Sequence, residues 1–170
     1  MPSDASDPSL TRAVAVLAAG LGTRMRSSRP KVLHELAGRP LIDHVLDLAL
    51  TLAPPDLVVA VVGHGAEEVE AAVAPRGVLT ALQQPQLGTG DALRVALARL
   101  AGRALDAVLV LSGDVPLLRP ETLAALADRV VGETAAALLT ARLDGPSAYG
   151  PVVRGDDGSV EAVVEARDAD

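Results

Sequence analysis

The chain of 170 residues has no cysteine, no phenylalanine, no tryptophan and a single tyrosine. Without cysteine it can form neither a disulfide nor a thiolate metal centre. Without aromatic bulk, Leu, Val and Ala must fill the core, and side chains that small require helices to approach a sheet closely. No apolar stretch reaches the roughly 20 residues that span a bilayer. The polar start of the sequence carries no basic region ahead of an apolar run, so no leader peptide is expected and a cytoplasmic protein is. Positive charge is also scarce. The formal net charge is −7, which argues against nucleic-acid or anionic-membrane partners. Lysine is nearly missing, with one residue against fourteen arginines.

Apolar residues make up 49% of the chain, enough for it to fold around one core. The few cations are not spread evenly. From Pro8 to His34 there is no acidic residue, while Arg12, Arg24, Arg26, Arg29 and Lys31 all lie there. Such a stretch is either a solvated basic loop or a site for one small anion.

Residues 1–10 are polar and read as a loose tail, with one domain expected over residues 11–170. Short apolar runs predict strands at Ala13–Leu17, Leu57–Val62, Val78–Leu82, Ala107–Leu111 and Ala135–Leu143. Helical patterns fall between them: Leu41–Leu52, with Leu41, Val45, Leu48 and Leu52 on one face, then Ala66–Val73, Gly90–Leu100 and Pro120–Val130. Proline suits the first turn of the last helix, where its missing N–H does no harm. Val152–Arg154 and Val160–Val164 predict a hairpin across Gly155–Gly158. Buried strands alternating with amphipathic helices give an α/β fold, Rossmann-like, with a mostly parallel sheet covered on both faces. Ligands of such sheets bind at the carboxyl ends of the strands, which directs attention to Gly20, Gly63, Gln83 and Asp114.

Leu17-Ala18-Ala19-Gly20-Leu21-Gly22-Thr23-Arg24-Met25 follows the first strand. Small residues let backbone N–H groups form an anion nest, and Arg24 adds a planar fork for phosphate oxygens. The segment is not a Walker loop, because no Gly-Lys-Ser/Thr follows, and it lacks the third glycine of the dinucleotide fingerprint. Lys31, stiffened by Pro30, is where a compact point charge survives in a chain that otherwise uses Arg; a surface charge is the plain alternative. Gln83-Gln84-Pro85-Gln86-Leu87-Gly88-Thr89-Gly90 follows the third strand. A Gln amide there offers one acceptor and two donors, and Gly88 permits close backbone approach, while Thr89 also suits a helix N-cap. Asp114, after the fourth strand, suits Mg²⁺, which keeps waters and takes phosphate oxygens as its other ligands; a turn or cap Asp is the plain alternative. His34, His44 and His64 have no metal-ligand spacing and read as structural.

The first block, with Pro30-Lys31-Val32-Leu33-His34 and Leu36-Ala37-Gly38-Arg39-Pro40, resembles the sugar-phosphate nucleotidylyltransferases. It is most similar to the uridylyltransferase part of the bacterial bifunctional enzymes that make UDP-N-acetylglucosamine, over about Ala13 to Asp168. The resemblance implies UTP and N-acetylglucosamine-1-phosphate as substrates and Mg²⁺ as cofactor, with UDP-N-acetylglucosamine serving cell-wall synthesis. It implies Arg24 and Lys31 as catalytic residues and Leu17, Ala18, Ala19, Gly20, Gly22 and Thr23 as the triphosphate cradle. Gln83, Gly88 and Thr89 would hold uracil. Asp114 would bind the metal, and Ser112, Gly113, Gly150 and Glu165 would lie at the sugar, with Tyr149 beside Gly150. The chain departs from the pattern at Ser112, where many relatives have Tyr, at Pro151, where Arg is usual, and at Arg167, where Lys is usual. Two asparagines of the resembled site have no counterpart, since the chain has no Asn. By the same resemblance, the rest of that domain and a trimer-forming acetyltransferase domain are expected to be missing here. A nucleotidylyltransferase for another acceptor, such as molybdopterin or a different sugar-1-phosphate, and a non-catalytic nucleotide-binding remnant remain alternatives.

Overall fold

The computed structural model describes residues 10–22, 25–130, 132, 134–144 and 150–164. Its contacts divide the chain into two units, residues 1–135 and 136–170.

The first unit is built on β1 (Arg12–Leu17), a two-residue ribbon of β2 (Glu35–Leu36) and β3 (Arg39–Pro40), and α1 (Leu41–Leu52). It continues through β4 (Val58–Val62), α2 (Ala66–Val73), β5 (Leu79–Leu82), α3 (Thr89–Arg99), β6 (Ala107–Ser112) and α4 (Pro120–Ala127). Four strands form one parallel sheet in the order β5-β4-β1-β6. Three successive strands step one way from β1, and the fourth then returns to its other side. This is the Rossmann order, and it reverses between β1 and β6.

The period of two along β1 divides the core. Val14 and Val16 join Ala60, Val62, Leu109 and Leu111 on one face, under Ile42, Val45 and Leu46 of α1, Val69 and Val73 of α2, and Leu123 of α4. Ala13 and Ala15 join Val59, Val61 and Ala81 on the other, under Ala92, Ala96 and Leu100. Alanines at both partners let α3 lie close to the sheet, as the lack of aromatic bulk requires. Helices therefore cover both faces, as expected. No helix among the described residues is long and apolar enough to cross a membrane.

Two expectations are corrected. The buried stripe of α1 is Ile42, Val45, Leu46, Leu48 and Ala49, while Leu41 and Leu52 are only partly buried. The stripe is turned by about one residue because Ile42, Leu46 and Ala49 repeat at the helical spacing that faces β1. Residues 135–143, expected as a strand, form none. Thr140 is the segment's only β-branched residue, and Leu138, Leu139 and Leu143 stay exposed, so neither propensity nor burial holds a strand there.

The second unit contains the expected hairpin, β7 (Val152–Arg154) against β8 (Val160–Val163), antiparallel and closed by Gly158 N–H donating to Gly155 O at 2.9 Å. The tail reading, at residues 1–9, lies outside the described residues.

Candidate active site

A cleft of about 340 Å³ opens at the carboxyl ends of β1 and β6, where the strand order reverses. Leu17, Ala18, Gly20, Gly22, Met25, Lys31, Val32 and Asp114 line it. Each wall has a local cause. Ala18 N–H donates to Val61 O at 2.8 Å, carrying the ladder one residue past β1 and spending that amide on the sheet. After it the chain leaves the sheet, and the N–H groups of Gly20, Leu21 and Gly22 bond to no other described residue. Among the described residues nothing occupies these three, which suits them to meet an anion, and Ala18 shapes the wall beside them. Ala19 is buried on the α3 face and its carbonyl accepts His64 N–H, so it anchors the turn.

Gly113 N–H donates to Leu17 O at 2.9 Å, and a Cβ at Gly113 would stand 3.0 Å from that oxygen and 3.1 Å from Val32 Cγ1. A side chain there would force Leu17 or Val32 to give by a few tenths of an ångström, so glycine eases the close approach of β6 to β1 that brings Asp114 to the cleft. Lys31 begins a single 3-10 turn, Lys31–Leu33, that is preceded by Pro30 and anchored by buried Val32 and Leu33. The Lys31 ammonium pairs with Asp114 Oδ2. The sole lysine and the candidate metal ligand, far apart in sequence, thus meet at one point. Thr23, Arg24 and Glu165, with Tyr149 and Arg167, lie outside the described residues. Ser112 ends β6 and is exposed, and Gly150 belongs to the second unit, just before β7.

Gln83 closes the neighbouring edge. Its N–H donates to Val62 O at 2.8 Å, two strand spacings from β1, or roughly 10 Å. It is the one buried polar side chain among the described residues, at 3% exposure. Its Nε2 donates to Gly88 O and to Asp91 Oδ2, each at 2.9 Å. Gly88, at φ +100°, takes the N-cap position, and Thr89 is the first residue inside α3, which corrects the capping role allowed for it. Asp91 in turn takes two hydrogen bonds on Oδ1 from Arg94, from Nε at 3.0 Å and Nη2 at 2.7 Å. Hydrogen bonds from Gln83 and then Arg94 hold the Asp91 carboxyl below the usual range. Sequence reasoning missed Asp91 and Arg94. An Asp in a helix's first turn reads as a dipole residue, and nothing in the spacing shows that it faces Gln83.

The histidines carry no metal cluster: among the described residues no three His, Asp or Glu side chains converge. His44 Nε2 lies 3.0 Å from Leu36 O, a structural contact.

A parallel sheet of this order, with free amides, a lysine and a carboxylate at its switch point, defines a nucleotide-binding α/β domain of the nucleotidyltransferase class. The chain belongs to the MobA-like NTP transferase domain family, whose model matches residues 14–156. It is 53% identical to the bifunctional protein GlmU of Burkholderia mallei over 156 residues, which is 92% of this chain and 34% of that protein. The chain thus spans about a third of the length of the curated relatives it matches. Among solved structures it is similar to a nucleotidyl transferase from Methanothermobacter, with TM-score 0.57 and 30% identity over 69% of this chain and 57% of that one. It is also similar to Rv0371c of Mycobacterium tuberculosis in complex with manganese, with TM-score 0.56 and 29% identity over 69% and 58%.

Proposed function

We propose that the chain is a uridylyltransferase that moves UMP from UTP to N-acetylglucosamine-1-phosphate, releasing pyrophosphate in a Mg²⁺-assisted in-line displacement. The meeting of Lys31 and Asp114 beside the free amides of Gly20–Gly22 carries this reading. The identity to GlmU over 92% of the chain supports the choice of substrates, and with it a cytoplasmic setting and one catalytic domain over residues 11–170.

In the proposed reaction an oxygen of the sugar phosphate bonds to the α-phosphorus of UTP as the bond to the pyrophosphate oxygen breaks. A phosphate monoester has its second pKa at about 6, so the attacking group is already ionised and no protein base is needed. Catalysis is then positioning and charge neutralisation. The amides of Gly20, Leu21 and Gly22, with Arg24, would hold the β- and γ-phosphates. The Lys31 ammonium would balance charge that develops at the transferring phosphate. Ser112 and Gly113, at the end of β6, would contact the sugar.

The donor set fits a hard divalent cation. Asp114 already holds a cationic group, the Lys31 ammonium, and among the described residues it belongs to no cluster of three or more metal-ligating side chains. One protein oxygen suits Mg²⁺, whose remaining positions go to water and phosphate. When bound there, Mg²⁺ would supply Lewis-acid neutralisation of the phosphates.

Pyrophosphate release from UTP, Mg²⁺ and N-acetylglucosamine-1-phosphate tests the reading. Lys31→Ala is expected to lower turnover by on the order of 10²–10³ while leaving the melting temperature nearly unchanged. Unchanged turnover removes Lys31 from the reaction. Release with a different acceptor alone replaces the proposed substrate, and UTP binding without any release replaces the enzyme with a binding domain.

A further inference from the structure

We infer that Asp91 is a positioning residue for base choice: it holds the Gln83 amide with its NH₂ turned into the protein and its carbonyl oxygen toward the base, so that the site takes uracil and refuses cytosine. The inference rests on the reading of Gln83 as the base-contacting residue.

A Gln side chain has no orientation of its own, because its two ends are nearly the same shape. Its partners must decide. Here both partners on one side are acceptors only, the Gly88 carbonyl and the Asp91 carboxylate, each 2.9 Å from Nε2. Turning the amide over would set a carbonyl oxygen against both. At 3% exposure Gln83 has little water to repair such a mismatch, and an unpaired buried polar group is costly. Arg94 completes the arrangement. It grips Asp91 Oδ1 twice, leaving Oδ2 for Gln83. The carboxyl is held below its usual range, so it stays an acceptor at neutral pH. Both amide hydrogens are thereby used, and the group left to offer a ligand is the carbonyl oxygen. Uracil presents a donor at N3–H; cytosine presents an acceptor at N3. A fixed acceptor matches the first and repels the second.

Asp91→Asn makes the test sharp. Arg94 donates only, so it retains the Asn oxygen and turns the new NH₂ toward Gln83. The Gly88 carbonyl still favours the Gln83 NH₂ inward while the Asn NH₂ favours its carbonyl inward, so the fixed orientation is lost and an outward NH₂, which suits cytosine, becomes accessible. Affinities for UTP and for CTP are measured by calorimetry with Mg²⁺ on the full chain and on the variants Asp91→Asn, Asp91→Glu and Gln83→Ala. The expected result is a UTP:CTP affinity ratio at least about tenfold lower in Asp91→Asn, with CTP bound more tightly than by the parent. Asp91→Glu, again an acceptor only, recovers most of the ratio. Equal weakening toward both nucleotides shows a merely structural role and overturns the inference. An unchanged ratio in Asp91→Asn, with the ratio lost in Gln83→Ala, overturns it while the Gln83 reading stands. A ratio untouched by Gln83→Ala overturns both.

Discussion

Gly22 stands at φ +59°, and a Cβ there would lie 2.9 Å from the Cβ of Lys31. Backbone and side chain are thus set against each other beside the point where the Lys31 ammonium meets Asp114. Gly22→Ala adds left-handed strain of about 1–2 kcal/mol and pushes Lys31 away from Asp114. Turnover in the pyrophosphate assay is expected to fall on the order of a hundredfold, since misplacement by an ångström reaches that size. The melting temperature should drop by only a few degrees. Full turnover would show that Lys31 is free to re-aim, and that its placement does not matter. At this scale the sequence is informative where chemistry is concentrated in single residues. Lys31 stands out as the sole lysine, and Asp114 follows a buried strand. It is silent on Asp91, whose part depends on which side chain faces it across a folded loop.

Among the elements, α1 is tied to its neighbours by one carboxylate. Asp47 accepts from Arg39 of β3 at 2.6 Å and from Arg76, in the 3-10 turn after α2, at 2.5 Å. Burial opposes its charge, yet the hydrogen bonds from Arg39 and Arg76 outweigh it and hold the carboxyl below the usual range. The folded pKa therefore lies under the unfolded one. The resulting stability is present above the ordinary carboxylate range of about 3.9 and is lost as pH falls through the folded value. With its side chain 44% exposed, Asp47 is screened, so about 0.5–1 kcal/mol is the expected size. Asp47→Asn should lower the melting temperature by a few degrees at pH 7, and the two melting curves should converge as pH falls below about 4. Curves that stay apart in acid would place the stabilisation elsewhere. Elements whose signal is local are legible in the sequence: α1 and α2 match their expected bounds, and β1, β4, β5 and β6 match within a residue. The segment 135–143 is not, because an apolar run without partners has the composition of a strand but not its ladder. The sheet order is not legible either, since periodicity says nothing about which strands pair.

Across the whole molecule, stability is distributed unevenly. β1 is hydrogen-bonded on both sides, by β4 and β6, and Ala13 to Val16 and Val58 to Val62 are fully buried. The ladder of β7 and β8 has two strands, and every residue of β8 is exposed. A two-stranded hairpin is marginal in water by itself, whereas a strand between two packed layers opens only with the domain. Native-state hydrogen exchange should therefore separate them. The amides of β1 and β4 are expected to exchange at the rate set by global unfolding, and to slow in step with any substitution that stabilises the first unit. Those within residues 152–163 are expected to exchange orders of magnitude sooner and to ignore such substitutions. The loop after β1 gives an internal control. The Ala18 amide, bonded to Val61, should be protected with the sheet, and those of Gly20, Leu21 and Gly22 should exchange at once until a nucleotide covers them. Slowing of these three by UTP would support their part in the triphosphate cradle, and no slowing under saturating UTP would remove them from it. Protection of the hairpin equal to that of β1 would mean that it is held by more than its own ladder.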